Sequence, residues 1–124
     1  MTREAFFAHC LDTYGTKPDY PFDDWHRSAV FRHADTRKWY ALAMSIPLSK
    51  LGVPSEKVVD VVNLKLPREM IGSFTEADGV YPAYHMNKSH WISVSLSLAT
   101  DDTITFLVAV SYKATSAKKT RKSC

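Results

Sequence analysis

The chain has 124 residues, and 16 Lys and Arg against 13 Asp and Glu give a net charge of +3. Lys118, Lys119, Arg121 and Lys122 lie in the last seven positions; the other 12 basic residues face 13 acidic ones, so residues 1–117 carry −1, which excludes a uniformly basic globule. A 45% hydrophobic share excludes a disordered chain, and the longest apolar run falls far short of the roughly 20 residues that cross a bilayer.

Residues 2–14 read as a helix with Thr2 as cap, Glu4 in the first turn and Gly15 as the stop. Phe6, Phe7, Cys10, Leu11 and Tyr14 fall at helical spacing and form its expected buried stripe. Residues 16–25 hold Pro18, Pro21 and three aspartates and read as an irregular connection. Strands follow over 28–33 and 37–44, joined by the polar turn 33–37. Simple alternation puts Tyr40, Leu42 and Met44 on one face of the second strand, and Trp39, Ala41 and Ala43 on the other. Residues 46–56, with Pro47, Gly52 and Pro54, read as a long loop.

Residues 58–66 form a third strand. Val62, Leu64 and Leu66 alternate there with Asn63 and Lys65, so one face is buried and the other partly wet. Pro67 opens a helix to about residue 77, with Met70, Ile71, Phe74 and Ala77 as its stripe. Residues 81–83 are extended, and 85–98 read as a further strand. Asp101 or Asp102 caps a last helix with Ile104, Leu107, Val108 and Ser111 inside. Strands run consecutively and not in βαβ alternation. The expected class is therefore α+β, an antiparallel sheet with helices packed on one face. Residues 1–115 form one domain and 116–124 a flexible basic tail.

Residues 1–7 carry an early acid and no apolar core, so no secretory signal is expected there. Cys10 and Cys124 lie far apart without C-x-x-C spacing, which argues against a disulfide framework or a zinc site. A cytoplasmic location is the default, with no membrane partner.

No signal points to an enzyme. The four glycines are scattered, no serine sits in a G-x-S-x-G elbow, and Cys10 lies on an apolar helix stripe. No catalytic residue, metal ligand set or cofactor is assigned. His85 and His90 point to opposite faces of an extended segment, and Asp24 with His26 lacks a third ligand.

The first hairpin is more informative. Between 26 and 40, Arg27, Arg32, Arg37 and Lys38 face only Asp35, and Trp25, Phe31, Trp39 and Tyr40 interleave with them. Residues 1–25 run the other way, with Arg3 and Lys17 against Glu4, Asp12, Asp19, Asp23 and Asp24. A basic hairpin can lie along a groove and contact phosphates. From composition alone the favoured reading is a solvated hairpin whose aromatics are core. In the stretch 84–91, Asn87-Lys88 reads as a turn, and His90 and Trp91 read as at least partly buried.

Several stretches together carry a resemblance. They are Asp19-Tyr20-Pro21-Phe22-Asp23-Asp24, Val30-Phe31-Arg32-His33, Lys38-Trp39-Tyr40-Ala41-Leu42, Val62-Asn63-Leu64-Lys65, Ser111-Tyr112 and above all Tyr84-His85-Met86-Asn87-Lys88-Ser89-His90-Trp91. With them the chain resembles the MmcQ/YjbR family of small bacterial domains over residues 1–114. The resemblance implies a fold similar to CyaY, the bacterial frataxin homologue, and a DNA-binding role in which strand hairpins act as wings. On the matching positions it implies Arg32, His33, Arg37 and Lys38 on one wing, and His85, Asn87, Lys88 and His90 on the other.

Three readings follow. In the first, a monomer contacts double-stranded DNA through Arg27, Arg32, Arg37, Lys38, Lys65 and Lys88, helped by the tail. In the second, a small molecule or protein binds near Trp39, Tyr84, His90 and Trp91. In the third, which the resemblance to the CyaY fold suggests, an acidic ridge of Glu4, Asp12, Asp19, Asp23 and Asp24 binds iron as in CyaY.

Overall fold

Thr2 accepts a hydrogen bond from the Ala5 amide at 3.0 Å and caps α1, Arg3–Tyr14. Gly15 closes that helix in the left-handed conformation, its amide bonded back to the Leu11 carbonyl. The computed structural model describes residues 1–22 and 27–117. The remaining elements are β1 Ala29–Arg32, β2 Trp39–Pro47, a 3-10 turn Leu48–Leu51, β3 Val58–Lys65, α2 Arg68–Phe74, β4 Val80–Pro82, β5 Trp91–Ser95 and α3 Asp101–Thr115. The strands form one antiparallel sheet in the order β1-β2-β3-β5-β4. The class is α+β, as expected. No helix among the described residues is long and apolar enough to cross a membrane.

One face of the sheet carries Ala29, Phe31, Ala41, Ala43, Val62, Leu64, Ile92 and Val94. Phe6 and Cys10 of α1 and Ile104, Leu107 and Val108 of α3 complete that core, with Met70, Ile71 and Phe74 of α2 packed beside it. The apolar spacing of α3 predicts this burial correctly. Thr100, not Asp101 or Asp102, caps α3, accepting from the Thr103 amide at 3.1 Å. The two aspartates fall one step later, where they complement the helix dipole. In α1 the buried line is Arg3, Phe6 and Cys10, and Leu11 is left 46% exposed.

The other face is also covered. Val30, Leu42, Met44, Ile46, Val59 and Val61 pack under Leu48 and Leu51 of the 3-10 turn, with Tyr84 and Met86 beside them. The segment before β5 therefore roofs the face that alternation leaves wet, and Asn63 is fully buried. A polar network fastens that roof. Asn63 Nδ2 donates to the Tyr84 carbonyl at 2.8 Å, Ser93 Oγ donates to Asn63 Oδ1 at 2.5 Å, and the Tyr84 amide donates to Ser93 Oγ at 3.0 Å.

Two expectations from alternation fail for local reasons. Phe31 pairs with Ala41 but Arg32 pairs with Trp39, so Tyr40 is an extra residue on β2, a bulge. Tyr40 consequently joins Ala41 and Ala43 in the helix-side core, and Trp39 moves to the face of Leu42 and Met44. The strand read over 85–98 shrinks to Trp91–Ser95. Asn87 is the reason, because its carbonyl accepts the His90 and Trp91 amides at 3.1 and 2.9 Å while its side chain accepts the Ser89 amide at 2.8 Å.

Candidate functional site

The antiparallel topology sets which segments meet. β1 runs toward the 33–38 turn, β2 runs back, β3 returns, and β5 starts where β3 ends. Turn 33–38, Lys65 and the 87–90 turn therefore share one end of the sheet, while Tyr84, His85 and Met86 lie over its second face. His33 Nε2 lies 2.8 Å from Thr115 Oγ1, which brings the C-terminus of α3 to the same end. Lys113 lies in the last turn of that helix.

Of the ten residues assigned to nucleic-acid contact, Arg37, Lys38, Asn87 and Lys88 are exposed at or near this end, and His85 is exposed over the second face, in a cavity wall with Ser28 and Met44. Lys65 is half-buried, and its amide donates to Ser111 Oγ at 2.9 Å, which fixes the end of β3 against α3. His90 is half-buried too, and its carbonyl accepts the Leu66 amide at 2.8 Å. Lys65 and Trp91 are directly opposed across the β3–β5 ladder.

Two of the ten are placed otherwise. His33 is 3% exposed, with Tyr112 4.3 Å and Tyr40 5.4 Å from its ring centroid. Its ring faces the core and not the outer surface of the hairpin. Burial draws its pKa below the ordinary histidine value. Arg27 precedes β1 and so lies at the opposite end of the sheet, about 15 Å of strand away from the turn.

The cations of the first hairpin are not all free. Arg32 Nε and Arg37 Nη2 both bind Asp19 Oδ2, at 2.8 and 3.1 Å. Asp19, itself outside the named strands, is held there by a β-bridge to Val30 of β1. The Arg32 guanidinium also sits over the Trp39 ring, 5.6 Å from its centroid. Asp19, from the acidic stretch before the hairpin, is therefore the hairpin's counter-ion. Sequence reading separates the two as opposite local charges, and only the pairing of Asp19 with Val30 reveals the contact.

Concavities among the described residues flank the sheet. One of about 360 Å³ is lined by Phe22, Ser28, Trp39, Leu42, Met44, His85 and Met86. Another of about 600 Å³ includes Arg27, Ser45, Lys50, Asp60 and Tyr84 among its walls. A third of about 420 Å³ is lined by Arg3, Glu4, Phe7, Tyr20 and Arg27. Trp39 and Tyr84 thus line different cavities, and the walls around each do not include His90 or Trp91. Cys10 is buried, and burial pushes its thiol up to about 12.

Among the described residues, no group of three His, Cys, Asp or Glu side chains is placed to share a metal ion. Asp23, Asp24, Trp25 and His26 lie outside the described residues, as do the tail cations Lys118, Lys119, Arg121 and Lys122.

The chain matches the model of the YjbR family over residues 11–114. It is similar to the protein YyaQ of Bacillus subtilis, with 41% identity over 96 residues, covering 77% of this chain and 81% of YyaQ. A crystal structure of a Pseudomonas syringae protein is 44% identical, with a TM-score of 0.90 over 94% of this chain and all of that one. A Deinococcus radiodurans protein, 21% identical with a TM-score of 0.65 over 90% of this chain and 75% of that one, shares the fold. With residues 11–114 matched by the family model and a 41% identical relative aligned over most of both chains, the chain belongs to the YjbR family.

Proposed function

We propose that this domain is a binding protein, not an enzyme, and contacts the phosphates of duplex DNA with one end of its sheet. One observation carries the reading: the topology gathers Arg37, Lys38, Lys65, Lys88 and Lys113 at a single end. The sequence continues from there into Lys118, Lys119, Arg121 and Lys122. Phosphate contacts are additive in counterion release, so cations from separate elements act together when they face one duplex. The body charge of −1 and the Asp19 ion pairs keep the interaction weak.

The test is a duplex titration over a series of salt concentrations. It compares the full chain, a chain ending at Ala117 and the full chain with Lys38, Lys65 and Lys88 changed to Gln. Binding that weakens with salt, with a log–log slope of about −3 to −5, and that falls in the triple variant supports the sheet end. Equal binding by the triple variant and the full chain, lost on truncation, assigns the interaction to the tail and overturns the reading. No binding at low salt overturns it outright.

A second reading rests on the cavity beside Trp39. Leu42, Met44, Met86 and Phe22 give it apolar walls, and His85 and Ser28 are its polar groups. That composition suits a small, largely apolar ligand.

A further inference from the structure

Arg3 is an unusual residue for the first turn of a helix. It is 5% exposed, and its Nη1 is buried with no hydrogen-bond partner among the described residues. Its Nη2 is already used, donating to the carbonyl of Arg27. Arg27 is held at φ +57°, a conformation costly for a residue with a side chain. Among the described residues neither guanidinium lies within ion-pair distance of a carboxylate. Asp60 attracts Arg3 from further away, and its carboxylate already accepts the Ser45 hydroxyl at 2.6 Å. Among the described residues, the fold thus brings two like charges together and leaves a buried N–H donor unmatched. A buried donor without an acceptor is costly, and a charged one more so.

The cavity of about 420 Å³ lies between these groups. Its volume falls within the usual range for small-molecule sites. Phe7 supplies an apolar wall, with the Arg3 guanidinium carbon 4.8 Å from its ring centroid. Tyr20 supplies a second ring, and it is 61% exposed. The N-terminal turn of α1 adds a favourable dipole for negative charge.

We infer that this cavity is a binding site for a small organic carboxylate. Its carboxylate would be held between the Arg27 guanidinium and the unmatched Nη1 of Arg3, with its apolar body against Phe7 and Tyr20. A monocarboxylate suits the site better than a phosphate dianion, because Glu4 lines the cavity and Asp60 is close by. The site is independent of the DNA reading: it lies at the opposite end of the sheet and gives Arg27 a different role.

The probe is benzoate, titrated into the full chain and followed by NMR at the arginine Nε–H signals and the Tyr20 amide. Saturable shifts at Arg3, Arg27 and Tyr20, with a Kd of about 1 mM or tighter, are expected. Arg27→Gln keeps the carbonyl that Arg3 uses while removing the exposed guanidinium, and it should weaken benzoate about tenfold or more. Inorganic phosphate and acetate run in parallel. Tighter binding of phosphate than of benzoate would overturn the carboxylate assignment. Absence of saturation, or unchanged benzoate affinity in a folded Arg27→Gln protein, would overturn the site.

Discussion

His33 and Thr115, 82 positions apart, meet through a 2.8 Å hydrogen bond that joins the first hairpin to the last turn of α3. The Thr115 hydroxyl donates to the Ser111 carbonyl at 2.7 Å, so the histidine ring nitrogen is the donor between them. Burial lowers the pKa of this ring relative to the unfolded chain. In the window between the folded pKa and the unfolded value near 6.5, the unfolded state binds more protons, so stability rises with pH. The stabilising contribution is complete above about 6.5 and is lost as pH falls through the folded pKa. Urea midpoints measured at mildly acidic and neutral pH should therefore differ more for the native chain than for His33→Gln. An equal pH dependence in the two proteins would show that His33 is not the titrating group.

Asn63 holds the roof on the second face of the sheet. Its side chain is fully buried and bridges Ser93 and the Tyr84 carbonyl. Asn63→Ala would strand both partners away from water. The expected loss is about 2 to 3 kcal/mol, from an unsatisfied carbonyl and a lost hydrogen bond. Amide exchange should accelerate over 83–90 more than in α3, because the network is what ties that segment down. Uniform acceleration across the chain would instead mean global destabilisation without a local latch.

Much of this architecture can be read from the sequence, and what cannot has local causes. Thr2 and Gly15 bracket α1 in the chain as they do in space, and Ile104, Leu107, Val108 and Ser111 mark the inner side of α3. Tyr40 is different. A bulge adds one residue to a strand, and every side chain beyond it changes face, so alternation misassigns Trp39 and Tyr40 together. Asn63 looks wet because periodicity reports only its own strand and is blind to a distant segment lying on top. The candidate site divides the same way. Lys38, Lys65 and Lys88 are identifiable by charge, and their shared location needs the strand order. Arg3 gives no signal at all in the sequence, where it is one arginine beside an acid at a helix start. Only its burial and its unmatched nitrogen single it out.

Gly79 and Gly72 should respond oppositely to alanine. Gly79 adopts φ +81°, and a Cβ there would collide with the Ala99 amide nitrogen and lie 2.8 Å from the Leu98 carbonyl carbon. Both contacts are with backbone, which cannot swing aside. The combined overpacking and dihedral strain should cost about 3 kcal/mol or more. Gly72 lies in α2 with open space around the same position. Alanine there should stabilise by about 0.5 to 1 kcal/mol through helix propensity. Thermal melts of the two variants in parallel check the contrast; a Gly79→Ala protein as stable as its parent would mean that the β4 entrance can shift away from residues 98–99.

Asp19 sets how much positive charge the first hairpin can offer. A single oxygen, Oδ2, binds both Arg32 and Arg37. The carboxylate and the Arg37 side chain are substantially exposed, so the ion pairs contribute little to stability, and Asp19→Asn should cost less than about 1 kcal/mol. Its effect on phosphate contact should be larger. The substitution removes one negative charge and weakens the hold on two guanidiniums near the end where Lys38, Lys65 and Lys88 gather. Duplex affinity should rise at low salt, and the log–log salt slope should steepen by about one to two as the released arginines each take up a phosphate. Asp19→Asn and the Lys38, Lys65 and Lys88 variant should then shift binding in opposite directions from the same baseline. If Asp19→Asn leaves both affinity and slope unchanged while the domain stays folded, the hairpin does not lie on DNA, and Arg32 and Arg37 serve only to fasten residue 19 to the edge of the sheet.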